Sequence, residues 1–210
     1  MEGKRVNNVN EQSVVTKKKF TNAFSVNRKL VNSKIFRDKF ELLPLSLEAK
    51  QIVYNEVCKL LEYVDGQENE YLMALDFYDG HRIVDNFNRE ATAKGTGFTE
   101  MEYKLIENDG ADIITVHNHS YNGKPSARDM ITFFSDDKIR LSIIACHNGD
   151  LYAIFNVSEV MISLYDEILE LEEKIVGKGD LAKSLATTKL YKMNEEIKSK
   201  KKKLFDVRRL

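Results

Sequence analysis

The sequence predicts an α/β domain that is followed by a pair of helices. Segments whose apolar residues recur at helical spacing alternate with short segments rich in β-branched and aromatic residues. Two of the β-rich segments contain the dipeptides Asp79-Gly80 and Asn148-Gly149, which favour the tight turns of β-hairpins. From Ser158 onward the helical period predominates. The chain is therefore expected to fold as a compact α/β core with a helical hairpin appended.

Three regions follow from these patterns. Residues 1–30 are polar, rich in Asn and Lys and without sustained periodicity, so we expect a flexible N-terminal arm. Residues 31–157 are expected to hold the α/β core. Residues 158–210 are expected to form the helical extension, in which the sequence GKGD separates two helices. The apolar stripe of the first of these helices comprises Met161, Leu164, Ile168, Leu171 and Ile175.

The first half of the core is expected to contain a short helix, a long helix and a hairpin. Residues 32–44 favour a short helix that ends before Pro44. Ser46 is typical of a helix N-cap, and the apolar residues behind it recur at helical spacing until Gly66. Residues 69–88 then change to a β-rich pattern with a turn in the middle, which predicts a hairpin.

The second half of the core repeats this alternation. Thr99 and Glu102 have the spacing of a capping box and predict a short helix that ends at a glycine. Residues 112–119 predict a buried strand, because they are apolar and β-branched. A further helix is expected to begin at Ser126, and residues 139–157 predict a second hairpin.

The composition excludes several classes of protein. With 32 basic and 33 acidic residues the chain has almost no net charge, which argues against a nucleic-acid or membrane-surface partner. The lysine run at 200–203 is short and is interpreted as a solvated helix end. No segment approaches the roughly 18 apolar residues of a membrane-spanning helix. Cys58 and Cys146 form no CxxC motif and are interpreted as buried, reduced residues of a cytoplasmic protein.

Two histidines close the predicted strand 112–119. His117 and His119 leave the same face of an extended strand, whereas Asn118 between them points the opposite way. Asp129 lies three residues after Ser126, so the two share one face of the helix that follows. Two imidazoles and one carboxylate leave one tetrahedral position open for water, which is the composition of a catalytic zinc site.

Such a site also needs a base, and the segment before the first strand offers two. Glu68 and Glu70 are both candidates, and Glu70 adjoins an apolar run where burial would raise its pKa. Ser126 has two candidate roles, as the cap of its own helix and as a donor to the oxyanion that forms on attack. His81 and His147 lie in hairpin turns and are interpreted as solvent-exposed structural residues.

At this point the residues resemble a known family. A strand that ends in H-x-H, followed by S-x-x-D at the start of a helix and preceded by a glutamate on an earlier strand, is similar to the JAMM/MPN (JAB) zinc metalloproteases. The stretch HNHSYNGKPSARDM is most similar to RadC-like proteins and to the JAB domains of phages and mobile elements. The resemblance as a whole covers about residues 46–157. The matching positions are His117, Asn118, His119, Pro125, Ser126 and Asp129. Ser120 stands where the family usually has proline, and the loop to Ser126 is one residue shorter.

The resemblance implies a fold and a set of roles. It implies an MPN-like (cytidine-deaminase-like) mixed β-sheet core flanked by helices. It also implies that His117, His119 and Asp129 bind one zinc ion, that Glu70 is the general base, and that Ser126 stabilises the tetrahedral intermediate. Glu68 remains the alternative base.

The expected function is a zinc-dependent hydrolase that cleaves a peptide or isopeptide bond in a protein or peptide substrate. The loop 91–98, with Gly95 and Gly97, is expected to shape the substrate groove, because glycine lets an extended chain approach closely. One alternative is a non-catalytic scaffold whose C-terminal helices contact a second copy or a partner protein. Another is a RadC-like DNA-associated protein, which the near-neutral charge disfavours.

Overall fold

The computed structural model of the protein describes residues 22–89, 96–197 and 203–210. Its described residues form a six-stranded sheet with helices on both faces, which confirms the predicted α/β class. The strands are β1 (Leu72–Asp76), β2 (Arg82–Asp85), β3 (Ile113–His119), β4 (Ile139–Cys146), β5 (Leu151–Val157) and β6 (Phe205–Arg209). Their order across the sheet is β2-β1-β3-β4-β5-β6. Only β3 and β4 are parallel neighbours, so the sheet is mixed.

Seven α-helices are described. They are α1 (Arg28–Val31), α2 (Lys34–Asp38), α3 (Leu47–Tyr63), α4 (Glu100–Asp109), α5 (Ala127–Ser135), α6 (Glu159–Val176) and α7 (Asp180–Glu196). The predicted caps are confirmed: the Ser46 hydroxyl accepts from the first turn of α3, and Thr99 and Ser126 form capping boxes. Gly110 ends α4 in the left-handed conformation, with φ of 73°. Both predicted hairpins, β1–β2 and β4–β5, are also confirmed.

The alternation of side chains along the strands divides the core between the two faces of the sheet. One buried cluster packs α3 against the first face; it includes Val57, Leu60, Met73, Val116 and Ile143. A second cluster packs α5, α6 and α7 against the other face; it includes Met130, Met161, Leu190, Ile144 and Ile154. The connection from β3 to β4 runs through α5, so α5 begins close to the carboxyl end of β3. This is where polar side chains meet.

The C-terminal region differs in part from the prediction. The two helices expected after Ser158 are present as α6 and α7, with the break at GKGD between them. Residues 205–209, which were expected to belong to a purely helical extension, instead form β6 and pair antiparallel with β5. Phe205 is 2% exposed in this pairing, so burial of its ring at the sheet edge favours a strand over a solvated helix end. Of the lysine run, residues 200–202 lie outside the described residues.

The described part of the N-terminal segment contacts the core. Residues 1–21 of the expected arm lie outside the described residues. From residue 22 onward the chain packs on the body of the domain: the Val26 amide donates to Asp65 at 2.7 Å, and the Asn27 amide donates to the His147 carbonyl at 2.7 Å. Val26 and Val31 are buried in the first cluster. In the described ranges, no helix has both the length and the apolar character required to cross a membrane.

Candidate metal centre

His117 and His119 end β3 on the face of the sheet that α5 covers. Their Nε2 atoms lie 3.1 Å apart, and both rings are largely buried, with side-chain exposures of 9% and 12%. The Nδ1 atom of His119 lies 3.0 Å from the carbonyl of Gly123, which can only accept a hydrogen bond. His119 therefore carries its proton on Nδ1, and its Nε2 lone pair points toward His117.

Asp129 completes a cluster of three ligand atoms. One of its carboxylate oxygens lies 3.4 Å from Nε2 of His117, and the other lies 3.6 Å from Nε2 of His119. The start of α5 fixes this carboxylate, because Oδ2 accepts from the Ser126 amide at 2.6 Å and from the Ser126 hydroxyl at 2.8 Å. The capping box that begins α5 thus also orients Asp129 toward the histidines.

The separations fit a single tetrahedral ion. Zinc binds imidazole nitrogen at about 2.0–2.1 Å, so two tetrahedral ligand atoms lie about 3.3–3.4 Å apart. The observed separations of 3.1, 3.4 and 3.6 Å bracket this value. Two neutral nitrogens and one carboxylate are also ligands that zinc accepts, and they leave the fourth position open. These three residues could hold a metal ion with little rearrangement.

Burial and charge act against each other in this cluster. Burial would raise the pKa of Asp129, but His117 and His119 outweigh it and hold the pKa well below its usual range. Burial would lower the pKa of His117, but the neighbouring carboxylate of Asp129 outweighs it and raises that pKa. For His119, burial and the charge of His117 lower the pKa. The carboxylate is therefore ionised, as a metal ligand must be.

Glu70 lies at the edge of the cluster, two residues before β1. Its Oε1 atom is 4.0 Å from Nε2 of His119, and its side chain is 23% exposed. Burial raises the pKa of Glu70 to about 7, with the charge of His117 acting in the opposite direction and that of Asp129 adding to the rise. A carboxyl group with a pKa near neutrality can both take up and release a proton at physiological pH.

Glu68, the alternative base, is directed elsewhere. Its carboxylate accepts a hydrogen bond from the Tyr121 hydroxyl, and its backbone carbonyl accepts from the Ser120 hydroxyl at 2.7 Å. Ser120 is 3% exposed, and its buried hydrogen bond to Glu68 ties the loop after β3 to this segment. The structure therefore brings Glu70, and not Glu68, to the histidines.

The Ser126 hydroxyl is engaged with Asp129. It accepts from the Asp129 amide at 3.2 Å and donates to Oδ2 of Asp129 at 2.8 Å. Of the two roles considered from the sequence, the structure shows the helix cap. Donation to an oxyanion would require the hydroxyl to rotate away from Asp129, and this role stays a prediction.

Asn118 holds the chain on both sides of Glu70. Its side chain is fully buried on the face of β3 opposite the histidines, with an exposure of 0%. Oδ1 accepts from the Tyr71 amide at 2.8 Å, and Nδ2 donates to the Asn69 carbonyl at 3.1 Å. The residue between the two histidines thus fixes the course of the segment that carries the candidate base.

His147 supports Asn118 and was not identified from the sequence. It was expected to be a solvent-exposed turn residue, and that expectation is wrong: it is 1% exposed. Its Nε2 accepts from Asn118 at 3.2 Å, and its Nδ1 donates to the Phe24 carbonyl at 2.7 Å. The N-terminal segment covers this turn, and a contact between segments so far apart along the chain leaves no local signal in the sequence.

A cavity of about 370 Å³ adjoins the candidate metal centre. Its lining includes Glu70, His117, His119 and Asp129 together with apolar residues of the sheet and of α5. Residues 96–98, the described end of the loop 91–98, also line the cavity, and a role of this loop in a substrate groove stays a prediction. Gly95 lies outside the described residues.

A second group of ligand-type side chains occurs in the described part of the chain, at the β1–β2 turn. It comprises Asp76, Asp79 and His81. Asp76 accepts from the Tyr78 and Asp79 amides at 2.6 and 2.9 Å, and Asp79 accepts from His81. These hydrogen bonds are those of a tight turn, so the group is explained by the hairpin alone.

Comparison of the chain with protein-family models, with curated proteins and with solved structures found no match in any of the three.

Proposed function

We propose that this protein is a zinc-dependent hydrolase that cleaves a peptide or isopeptide bond, and that its core is MPN-like. The observation that carries the proposal is the convergence of His117, His119 and Asp129 on one point, with Glu70 at 4.0 Å from that cluster. This is the ligand set and base that the H-x-H and S-x-x-D motifs imply. The mixed sheet and the flanking helices support the proposed core.

In the proposed mechanism, His117, His119 and Asp129 hold the zinc ion. When bound there, zinc would supply a Lewis acid for the scissile carbonyl and would lower the pKa of the attacking water to about 7. Glu70 takes the proton from the attacking water and delivers it to the leaving amine. In the metal-free protein, burial raises the pKa of this carboxyl group to about 7. Ser126 holds Asp129 in place, and we propose that its hydroxyl also turns toward the oxyanion as the bond breaks.

Peptide cleavage by the zinc-loaded protein tests this function. A panel of quenched fluorescent peptides and isopeptides would be incubated with wild type, Glu70→Gln and Glu68→Gln. We expect wild type and Glu68→Gln to cleave, and Glu70→Gln to lose activity by at least about a hundredfold, since general-base catalysis contributes about 10²–10⁴-fold. Equal activity of Glu70→Gln and wild type would contradict the proposed base.

A scaffold function is the second candidate, and one observation favours it. Apolar side chains on α6 and at the start of α7 are exposed: Leu171, Ile175, Val176 and Leu181 have exposures of 56%, 73%, 41% and 62%. Such residues favour contact with a second copy or a partner protein. The presence of all three candidate ligands, His117, His119 and Asp129, favours the enzyme hypothesis over the scaffold hypothesis. A scaffold without catalytic activity does not need three converging ligands beside a carboxyl group whose pKa is raised, as that of Glu70 is.

A further inference from the structure

The cavity beside the metal centre extends along β3 away from the histidines. Ile113, Thr115 and His117 lie on one face of this strand, because alternate residues point the same way. At a rise of about 3.3 Å per residue, Thr115 lies roughly 7 Å from His117 and Ile113 roughly 13 Å from it along the strand. The distance of roughly 7 Å to Thr115 is comparable to the length of a large apolar side chain whose backbone lies at the candidate metal centre, and Ile113 lies deeper than such a side chain reaches.

The inner wall of the cavity is apolar. Ile113 and its neighbour Ile139 on β4 are 1% and 7% exposed, and Leu72 of β1 lines the cavity at its other end, where it pairs with His117. Phe133 of α5 and Phe98 from the end of the loop 91–98 contribute aromatic surface. The volume falls within the range of about 300–1,000 Å³ typical of ligand sites. A ligand group in this space would be surrounded mainly by hydrocarbon.

The polar groups of the inner wall satisfy each other. The Thr115 hydroxyl donates to the Ser142 hydroxyl at 2.9 Å, and both residues are buried. These two hydroxyls hydrogen-bond to each other, and they offer no positive charge to a ligand carboxylate. Arg128 and Asp180 of the lining are exposed, and Asp136, at the end of α5 beside Ile139, is half-buried and adds a negative charge to the lining.

We propose that this cavity is the specificity pocket of the enzyme and that it accepts a bulky apolar side chain, such as leucine, methionine or phenylalanine, next to the scissile bond. This inference rests on the proposed peptidase function and deepens it. Apolar surface buried in such a pocket favours a leucine substrate over a glycine substrate, and one methylene alone changes selectivity by about 10–200-fold. An acidic residue at the same position would be excluded, because it would lose its hydration without gaining a positive partner and would approach the carboxylate of Asp136.

The test uses zinc-loaded full-length protein and quenched peptides that differ only in one residue beside the scissile bond: glycine, alanine, leucine, phenylalanine or aspartate. We expect kcat/KM to be at least about tenfold higher for leucine and phenylalanine than for glycine or aspartate. Phe133→Ala removes part of the wall and is expected to reduce this selectivity several-fold, with zinc content unchanged. Phe134→Ala, at the neighbouring position of α5 and outside the lining, is the matched control and should retain the selectivity.

Equal rates for glycine and leucine peptides, or a preference for aspartate, would contradict the proposed apolar specificity of the pocket. Either result would still support the proposed hydrolase function, because the peptides are cleaved. If no peptide is cleaved, the proposed hydrolase function is contradicted. A ligand-binding experiment then tests whether the cavity accepts an apolar side chain. N-acetyl-leucinamide and N-acetyl-glycinamide would be titrated into the zinc-loaded protein while the methyl resonances of Ile113 are followed by NMR. Shifts with the leucine probe alone would support the apolar pocket, and no shift with either probe would overturn it.

Discussion

The side-chain amide of Asn118 donates a hydrogen bond to Nε2 of His147 at 3.2 Å. Because an amide nitrogen only donates, Nε2 of His147 is unprotonated and its Nδ1 carries the proton that goes to the Phe24 carbonyl. Burial lowers the pKa of His147, which favours this neutral ring. A continuous set of hydrogen bonds therefore joins the N-terminal segment to the part of the chain that carries Glu70.

Asn118→Ala is expected to reduce catalysis without removing zinc. It removes the hydrogen bonds that Asn118 makes to the Tyr71 amide and to the Asn69 carbonyl, each of which contributes about 0.5–1.5 kcal/mol of stability. Since these two groups flank Glu70, we expect kcat to fall while zinc stoichiometry and KM change little. Steady-state kinetics and metal analysis of the same preparation provide the measurement. Unchanged kcat in a folded, zinc-loaded variant would contradict a positioning role for Asn118.

Ser126→Ala is expected to weaken zinc binding. The change removes the helix cap, at about 1 kcal/mol of stability, and the hydrogen bond that orients Asp129. Loss of such a supporting bond typically lowers metal affinity by about 10–100-fold. Competition with a zinc chelator would measure the affinity. Ser46→Ala removes the cap of α3 and should cost similar stability with no change in zinc affinity; a similar loss of affinity in both variants would contradict the specific role of Ser126.

Glu70→Gln is expected to stabilise the metal-free protein at high pH. Burial raises the pKa of Glu70 from 4.5 to about 7, so the folded state holds a proton that the unfolded state has released between these values. The free energy of unfolding of wild type therefore falls as pH rises from 4.5 to 7, by at most about 3 kcal/mol from this group. A glutamine has no such ionisation.

Urea unfolding of the metal-free protein at pH 4 and at pH 8 checks this prediction. The free energy of unfolding of Glu70→Gln minus that of wild type should be more positive at pH 8 than at pH 4. Glu68→Gln is the control, because Glu68 is exposed and lies away from the cluster. A pH-independent difference for Glu70→Gln would mean that Glu70 is not destabilised by burial of its charge.

Local chemistry made much of the fold predictable. Ser46, Thr99 and Ser126 mark helix starts because their hydroxyls satisfy backbone amides of the first turn, and the two Gly-containing turns define the hairpins. The placing of His117 and His119 on one face follows from the geometry of a strand. Each of these features depends on residues within a few positions of one another.

The features that were not predicted depend on distant parts of the chain. Strand β6 forms because Phe205 and its neighbours add to the edge of β5, about 50 residues earlier in the sequence. His147 is buried because the segment around Phe24 covers it. The choice of Glu70 over Glu68 depends on the course of the chain before β1, which Asn118 fixes from another strand.

The zinc content of the purified protein tests the central claim most directly. Wild type, Asp129→Ala and Asp137→Ala would be reconstituted with zinc, dialysed and analysed for metal per chain; Asp137 is an exposed residue just beyond α5 and serves as the control. We predict about one zinc ion per chain for wild type and Asp137→Ala, and loss of that zinc in Asp129→Ala. Wild type that binds no zinc, or Asp129→Ala that retains it, would contradict a metal centre at His117, His119 and Asp129.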